Sequence, residues 1–547
     1  MKSFLIAYSI GLLIILLSLC VNVECRSMAG KITTVPTTTA PIDPIKPSNR
    51  KSTNNTKPVT LTQPSTAITT STNTVSHKEF ADLQANYVQF TKNIHLFPTN
   101  KNTIDAIAGS DKNKQSQIVA YAQDTYPIID TKAIELCNAF ITFKKNNGSD
   151  IEKSLYNRMT LSNFIIRCLE KRPLVFMTEH DSSLLREPNA KLTNMDFTKI
   201  GTLQEQKPLI LADYLSYDEM KIAALIGVSS PTYFINNGNR NNSGEIGQEN
   251  TFQKEGVYSG LVGARFEKPN FMEWQDMIIT QEQNTAKNGY GLKKSNQGLI
   301  GLWSHFYSYK FPTYDEAVAD KTGQYVPYNQ NFFNRTVYKK RMELVIKPFL
   351  RDANIRGKKH NKKVYVHTVG LGLGVWAILQ EEQTKCIIEV FKEIIHNNTF
   401  AHIADIDFSW FMDNASTLVP NMKNGDFCTD KNNNSIAIHF SQRNPADKLI
   451  GKDTDKLLIA CYAWDGNAYP GNEYWAGMLT ASGDPAAACC SLIGTVQNIL
   501  INPWLKKNIN QIYGSIQSGH HHKIKPKYKA KYRLNSFFKT AIVQKKN

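Results

Sequence analysis

The densest acid chemistry in the chain lies at residues 402–408, HIADIDF, with Asp413 and Asn414 just beyond. Residues two apart on a strand face the same side, so a strand here puts Asp405 and Asp407 together. Two carboxylates held that close repel each other when ionised, so one is expected to keep a raised pKa and serve as a general base. Such a pair can also hold a hard cation, and a solvent-facing edge strand is the plain alternative. Upstream, residues 364–376 read VYVHTVGLGLGVW, with Gly370, Gly372 and Gly374 placing three residues without a Cβ in five positions. A glycine loop between strand and helix turns bare N–H groups and a helix N-terminus toward an anion. A tight turn with no ligand is the alternative there.

Three further stretches carry polar groups suited to a nucleotide. Residues 236–266, NNGNRNNSGEIGQENTFQKEGVYSGLVGARF, open with Asn236, Asn237 and Asn239, whose short amides can grip vicinal hydroxyls such as those of ribose. Their second half mixes glycine into an apolar run, a sign that another backbone or a ligand approaches closely. Asp213 follows the apolar run 208–212, where a carboxylate can accept from an exocyclic amine such as that of adenine; a helix cap is the commoner use. Residues 464–475, WDGNAYPGNEYW, present Asp465 and Asn467 and are followed at 482–491 by SGDPAAACCS. Asp484 and Pro485 suit a helix start, and Cys489 and Cys490 would lie in its first turns, where a thiolate is stabilised. No His-plus-acid pattern accompanies them, so no nucleophilic cysteine is read. A packed aromatic corner is the alternative for the tryptophan-rich stretch.

Short apolar runs at 173–177, 208–212, 232–235, 344–346, 364–369, 402–408, 436–440 and 457–462 read as strands, with helical periodicity at 218–226, 375–395 and 486–499. That alternation predicts an α/β fold, a mostly parallel sheet covered on both faces. Ligands in such sheets lie at the carboxyl ends of the strands. The loops bearing Asp213, the asparagines, the glycines and the aspartates are therefore expected to converge there. Ahead of this, residues 79–171 show helical spacing, for example Ile134, Cys137 and Phe140, and read as a small helical lobe.

Composition sets further bounds. The net charge is +17, and residues 523–547 alone carry nine basic residues and no acid, a solvated arm rather than a specific nucleic-acid site. Residues 1–25 read as a signal peptide, with an uncleaved membrane anchor as the alternative. Residues 26–78 form a Thr/Ser/Pro stalk with little to bury. The α/β domain spans 172–505 and the basic tail 506–547. The seven cysteines after residue 25 are sparse and odd in number, which excludes a small disulfide scaffold. Sequons at Asn54, Asn147, Asn241, Asn334, Asn397, Asn414 and Asn433 fit a secreted glycoprotein, although a chain rich in Asn, Ser and Thr carries some by chance.

The segments NNGNRNNSG, GVYSGLVGARF, VGLGLGVW and WDGNAYPGNEYW with SGDPAAACCS resemble the MavL-type, macrodomain-like ADP-ribosylhydrolase family, over about residues 172–504. That family includes a Legionella effector that removes ADP-ribose from ubiquitin, and has eukaryotic relatives. The resemblance implies a macrodomain-like mixed sheet with helices on both faces and ADP-ribose or an ADP-ribosylated protein as partner; no cofactor or metal is read from the sequence. It implies Asp213 near adenine, Asn236, Asn237 and Asn239 near the distal ribose, Gly370, Gly372 and Gly374 along the diphosphate, and Asp465 and Asn467 also at the ligand. Catalysis in the family depends on aspartates, and Asp405, Asp407 and Asp413 are the positions expected to direct water onto the anomeric carbon. A signal peptide, a stalk and a basic tail depart from that pattern, and glycans at Asn241 and Asn414 would crowd the pocket. A non-catalytic ADP-ribose-binding module and a secreted structural or adhesive protein remain the alternatives.

Overall fold

The computed structural model describes residues 72–92, 100–177, 181–471 and 490–514, with side chains from residue 77 onward. The expected signal peptide, most of the stalk and most of the basic tail lie outside the described residues.

Eight strands build the main sheet: β1 (Tyr126–Ile128), β2 (Gly227–Tyr233), β3 (Glu255–Leu261), β4 (Val364–Thr368), β5 (Ile403–Ser409), β6 (Phe427–Thr429), β7 (Ser435–Ser441) and β8 (Leu457–Ala463). Their order is β1-β2-β3-β8-β4-β5-β7-β6. The five central strands, β3, β8, β4, β5 and β7, are parallel, and each strand outside them pairs antiparallel with its neighbour. Mixed sheets of this kind place their parallel core where both faces are covered. Adjacent residues of β2 show the two layers directly. Ser229 donates to Asp352 of the long helix on one face, at 2.6 Å, and Ser230 accepts from Gln497 on the other, at 2.9 Å.

Five helices matter to the site: α1 (Thr131–Asn147), α2 (Leu161–Glu170), α3 (Arg335–His360), α4 (Gln380–Asn397) and α5 (Pro503–Tyr513). Asp130 and Thr160 cap α1 and α2 by accepting from the first-turn amides. The apolar face of α4, including Ile387, Phe391 and Ile394, is buried, with Phe391 edge-on to Phe408 of β5 at 5.0 Å. Each such side chain contributes roughly 1.5–3 kcal/mol by leaving water. The region 79–171 supplies α1, α2 and also β1; its apolar side chains from Ile128 onward join the core of the sheet, whereas Phe80, Leu83, Ile104 and Ile118 form a second cluster with Leu492 and Val496.

Three expected elements differ. Residues 344–346 lie within α3 rather than in a strand, because this 26-residue helix is buried on several sides and its core side chains run together. Short apolar runs do not separate buried helix from strand by periodicity. Residues 208–212 form turns and no strand. Among the described residues of 486–499, Cys490 and Ile493–Val496 are helical, with a break at Ser491 and Leu492.

Candidate active site

At the carboxyl end of the sheet, three adjacent strands send out loops that touch. Strand β8 lies between β3 and β4, so the loop after Ala463 is flanked by the loops after Leu261 and Thr368. Contact between the outer two is backbone on backbone: a Cβ on Gly263 would lie 2.3 Å from the Gly372 nitrogen. Gly372 has φ +74°, and a Cβ there would meet the Ala264 carbonyl oxygen at 2.8 Å. The glycines in GVYSGLVGARF and VGLGLGVW thus serve each other's close approach. The middle loop begins as an extension of the ladder, with the Trp464 amide on the Leu261 carbonyl at 2.8 Å. Gly466 then packs on Val262, where a Cβ would be 2.6 Å from a methyl. Asp465, nearly buried, accepts from the Asn467 amide at 3.2 Å.

Buried arginines pin these loops. Arg265 donates to Asn467 Oδ1 at 2.5 Å and to both oxygens of Glu273, while Arg341 donates to Glu273 and to the carbonyls of Val262 and Gly263. Burial opposes ionisation of Glu273, but the two guanidiniums outweigh it and hold its carboxyl below the ordinary value. The Asn467 side chain is committed to Arg265 and to Met272 Sδ. On the other side of the same loop, the Arg172 guanidinium lies 4.3 Å from the Trp464 ring. Burial pushes the pKa of Arg172 down to about 10. Arg265 stood in the quoted GARF segment, where a lone charge in an apolar run was the available signal. Nothing local marked Arg172.

The glycine loop differs from expectation in its exit. Helix α4 begins at Gln380, not at 375, and its first turn holds Glu381 and Glu382. Gln383 accepts from the Ile378 and Leu379 amides at 2.8 and 2.9 Å, so side chains already occupy this helix start and an anion would meet like charge. Residues 374–376 instead bulge outward, with Val375 88% exposed. Among the described residues the amides of Gly374, Val375 and Trp376 meet no protein acceptor.

Asp405 and Asp407 do share one face of β5, and that face is a polar network buried beneath residues 442–456. Asp405 accepts from His439 Nε2 at 3.0 Å and pairs with Lys456; Asp407 accepts from the Tyr365 hydroxyl at 2.8 Å and from Ser441. Arg443 lies over Tyr365, and His367 Nε2 is 3.1 Å from the Arg443 carbonyl. Burial lowers the pKa of His367, which favours the neutral ring. Burial alone would raise Asp405, but hydrogen bonds from His439 and Lys456 hold it below the ordinary carboxylate value, so Asp405 is not the member of the pair with a raised pKa. Asp413 is exposed on the loop after β5. That loop starts with Trp410, which sequence reasoning missed; it has φ 58°, is 55% exposed, and is anchored by its amide to the Ser441 carbonyl. An exposed indole on strained backbone at a strand end is the kind of departure that marks functional sites.

The expected convergence is incomplete. Antiparallel β2 ends at Tyr233 opposite Glu255, the first residue of β3, so the asparagine loop lies at the far end of the strands from the glycine loop. There Asn236 donates to the Glu245 carbonyl, Asn237 to Asp447 and Asn239 to Asn444, knitting loop to loop. Asp213 sits in a turn whose carbonyl accepts from Arg186, not at a strand end. Cys490 is buried, with its carbonyl accepting from the Ile235 amide, and Cys489, Asp484 and residues 472–475 lie outside the described residues. Asn334 is fully buried as the cap of α3, so its sequon cannot carry a glycan in this fold. Among the described residues no group of three or more His, Cys, Asp or Glu could hold a metal.

A family model described as ADP-ribosylhydrolase MavL-like matches residues 86–522. Two ADP-ribosylarginine hydrolases of Drosophila melanogaster are similar to this chain. One is 37% identical over 434 residues, covering 76% of this chain and 82% of the relative. The other is 34% identical over 390 residues, covering 69% and 76%.

Proposed function

The chain belongs to the MavL-like ADP-ribosylhydrolase family, and we propose that it cleaves the bond between the distal ribose of ADP-ribose and an arginine side chain of a modified protein. The observation that carries this reading is the packing of the three carboxyl-end loops, Gly263 on Gly372 and Gly466 on Val262, on either side of Asp465. Family membership supplies hydrolytic removal of ADP-ribose; the names of the two insect relatives suggest the arginine linkage. Ubiquitin is the carrier suggested by the family resemblance.

In this reading the distal ribose meets the Asp465 loop and the diphosphate follows the Gly370–Gly374 loop, taking the outward amides of residues 374–376. The adenine continues one strand further and stacks on Trp410. Asp465 orients or deprotonates the attacking water, while Asp413, exposed on the β5 loop, lies toward the adenine end of this path. Asp405 and Asp407, already satisfied by His439, Lys456, Tyr365 and Ser441, hold the β5 end in place. Asn467 holds the Asp465 loop, and Asp213, Asn236, Asn237 and Asn239 support structure away from the ligand path.

The chemistry asks little of a general acid. A ribosylated guanidinium is already cationic. Breaking its C–N bond at the anomeric carbon releases a neutral guanidine, which takes up a proton as water delivers hydroxide to the oxocarbenium-like carbon. One carboxylate that directs water and faces the developing positive charge is sufficient, provided the diphosphate holds the carbon still. The test is release of ADP-ribose, by mass spectrometry, from ubiquitin or another acceptor modified on arginine, beside the same acceptor modified on serine. Release from the arginine-linked form alone is expected. No release from either refutes hydrolysis, and release only from serine refutes the linkage.

A further inference from the structure

We infer that Arg172 is a positioning residue for the Asp465 loop, through which the helical lobe sets the geometry of the hydrolytic site. This inference rests on the function proposed above. Arg172 follows the end of α2 by two residues and is fully buried. Its Nε donates to the Cys168 carbonyl of α2 at 2.6 Å, and its Nη1 donates to the Ala468 carbonyl at 3.3 Å. The guanidinium carbon lies over the Trp464 ring, 4.3 Å from its centroid. One side chain therefore joins the last turn of α2 to the residue just before Asp465 and to the residue three after it.

The residues around Arg172 repeat the grip. The Tyr469 amide donates to the Pro173 carbonyl at 3.1 Å, and the Tyr469 hydroxyl donates to the Glu170 carbonyl. From the opposite side Arg265 holds Asn467, so the loop is fixed between two buried guanidiniums. Arg172 differs from Arg265 in kind. Arg265 is bidentate to Glu273, whereas no carboxylate hydrogen-bonds to Arg172 and its Nη2 meets no acceptor among the described residues. A buried cation without a bonded anion is expensive, and an apolar side chain of similar length would fill the space at less cost. What arginine adds is a rigid fork that can donate in two directions while stacking on an indole.

The prediction concerns turnover rather than affinity, because the diphosphate contacts lie on the β4 loop, which Arg172 does not touch. Arg172→Met keeps the stem over Trp464 and removes the fork. Its kcat should fall ~10–100-fold, as expected for a misplacement of about 1 Å, with the Kd for free ADP-ribose changed less than about threefold. Arg172→Lys, which restores charge and one donor, should recover part of kcat. If Arg172 acts through Asp465, the double variant Arg172→Met/Asp465→Asn will be no slower than Asp465→Asn alone. Losses that multiply in the double variant, or wild-type kcat in Arg172→Met, overturn the inference. Should Arg172→Met not fold, Tyr469→Phe removes a single hydroxyl contact of the same grip and is held to the same non-additivity. Wild-type protein that releases no ADP-ribose overturns the underlying function instead.

Discussion

Gly372 and Gly374 belong to one glycine motif and occupy opposite physical situations, so alanine at each separates shape from solvent exposure. At Gly372, φ is +74°, a conformation that costs an L-residue roughly 1–2 kcal/mol. The new methyl would also lie 2.8 Å from the Ala264 carbonyl oxygen and 3.1 Å from its amide nitrogen, both backbone atoms. Because they cannot rotate away, the β4 loop must move off the β3 loop by several tenths of an ångström. The summed cost is about 2–4 kcal/mol, the range of strained non-glycine positions and overpacked interiors. At Gly374 nothing lies within 4 Å of the added methyl and no positive φ is required, so the cost stays within about 0.5 kcal/mol. The amide that would meet phosphate is kept in both variants. Thermal unfolding and ADP-ribose release, measured side by side, should show Gly372→Ala destabilised and at least ~10-fold slower, with Gly374→Ala close to wild type. A Gly372→Ala protein as stable and active as wild type would refute the argument from close approach. A Gly374→Ala protein as impaired as Gly372→Ala would show that open space at that loop had been misjudged.

Other predictions follow from the same geometry. Asp465→Asn, nearly isosteric, should retain ADP-ribose binding by calorimetry and lose ~100-fold or more in kcat, the scale of a positioned base; unchanged turnover removes Asp465 from the chemistry. Trp410→Ala should weaken free ADP-ribose by about 1–3 kcal/mol, the worth of one stacked base, and a Kd within error of wild type would place adenine elsewhere. Asp405 has a depressed folded pKa, so its contribution to stability is present above the unfolded value, 3.8, and is lost as pH falls through the folded one. Lys456→Met removes a cause of that depression and should move the acid unfolding midpoint upward; an unmoved midpoint would mean Lys456 does not support Asp405. Peptide mapping after expression through a secretory pathway should find Asn334 unglycosylated, and a glycan there in folded protein would contradict its burial beneath α3.

What was legible in the sequence divides along the line between local pattern and tertiary register. Strands β4, β5, β7 and β8 were readable because each is a short apolar run beside turn residues, and the pairing of Asp405 with Asp407 on one face followed from strand period alone. The glycine spacing was readable too, but its cause was not: Gly372 packs on Ala264, 108 residues earlier in the sequence, and no local window contains both. The same limit explains the misplaced asparagine loop. Its polar amides fitted a ribose as well as they fit Asp447 and Asn444, and only the antiparallel direction of β2 decides which end of the sheet they reach. Direction is a property of the sheet, not of the strand. The acids show the complementary error. Mutual repulsion raises the pKa of a carboxylate pair only where other partners do not outweigh it, and here His439, Lys456, Tyr365 and Ser441 arrive from β7, β4 and the segment before β8 to satisfy them. Asp465, buried, follows the central strand of the three whose loops touch. Its neighbours are fixed by arginines rather than by other acids. In this fold, loops from three strands meet by backbone contact, and the buried guanidiniums of Arg265, Arg341 and Arg172 pin them from below.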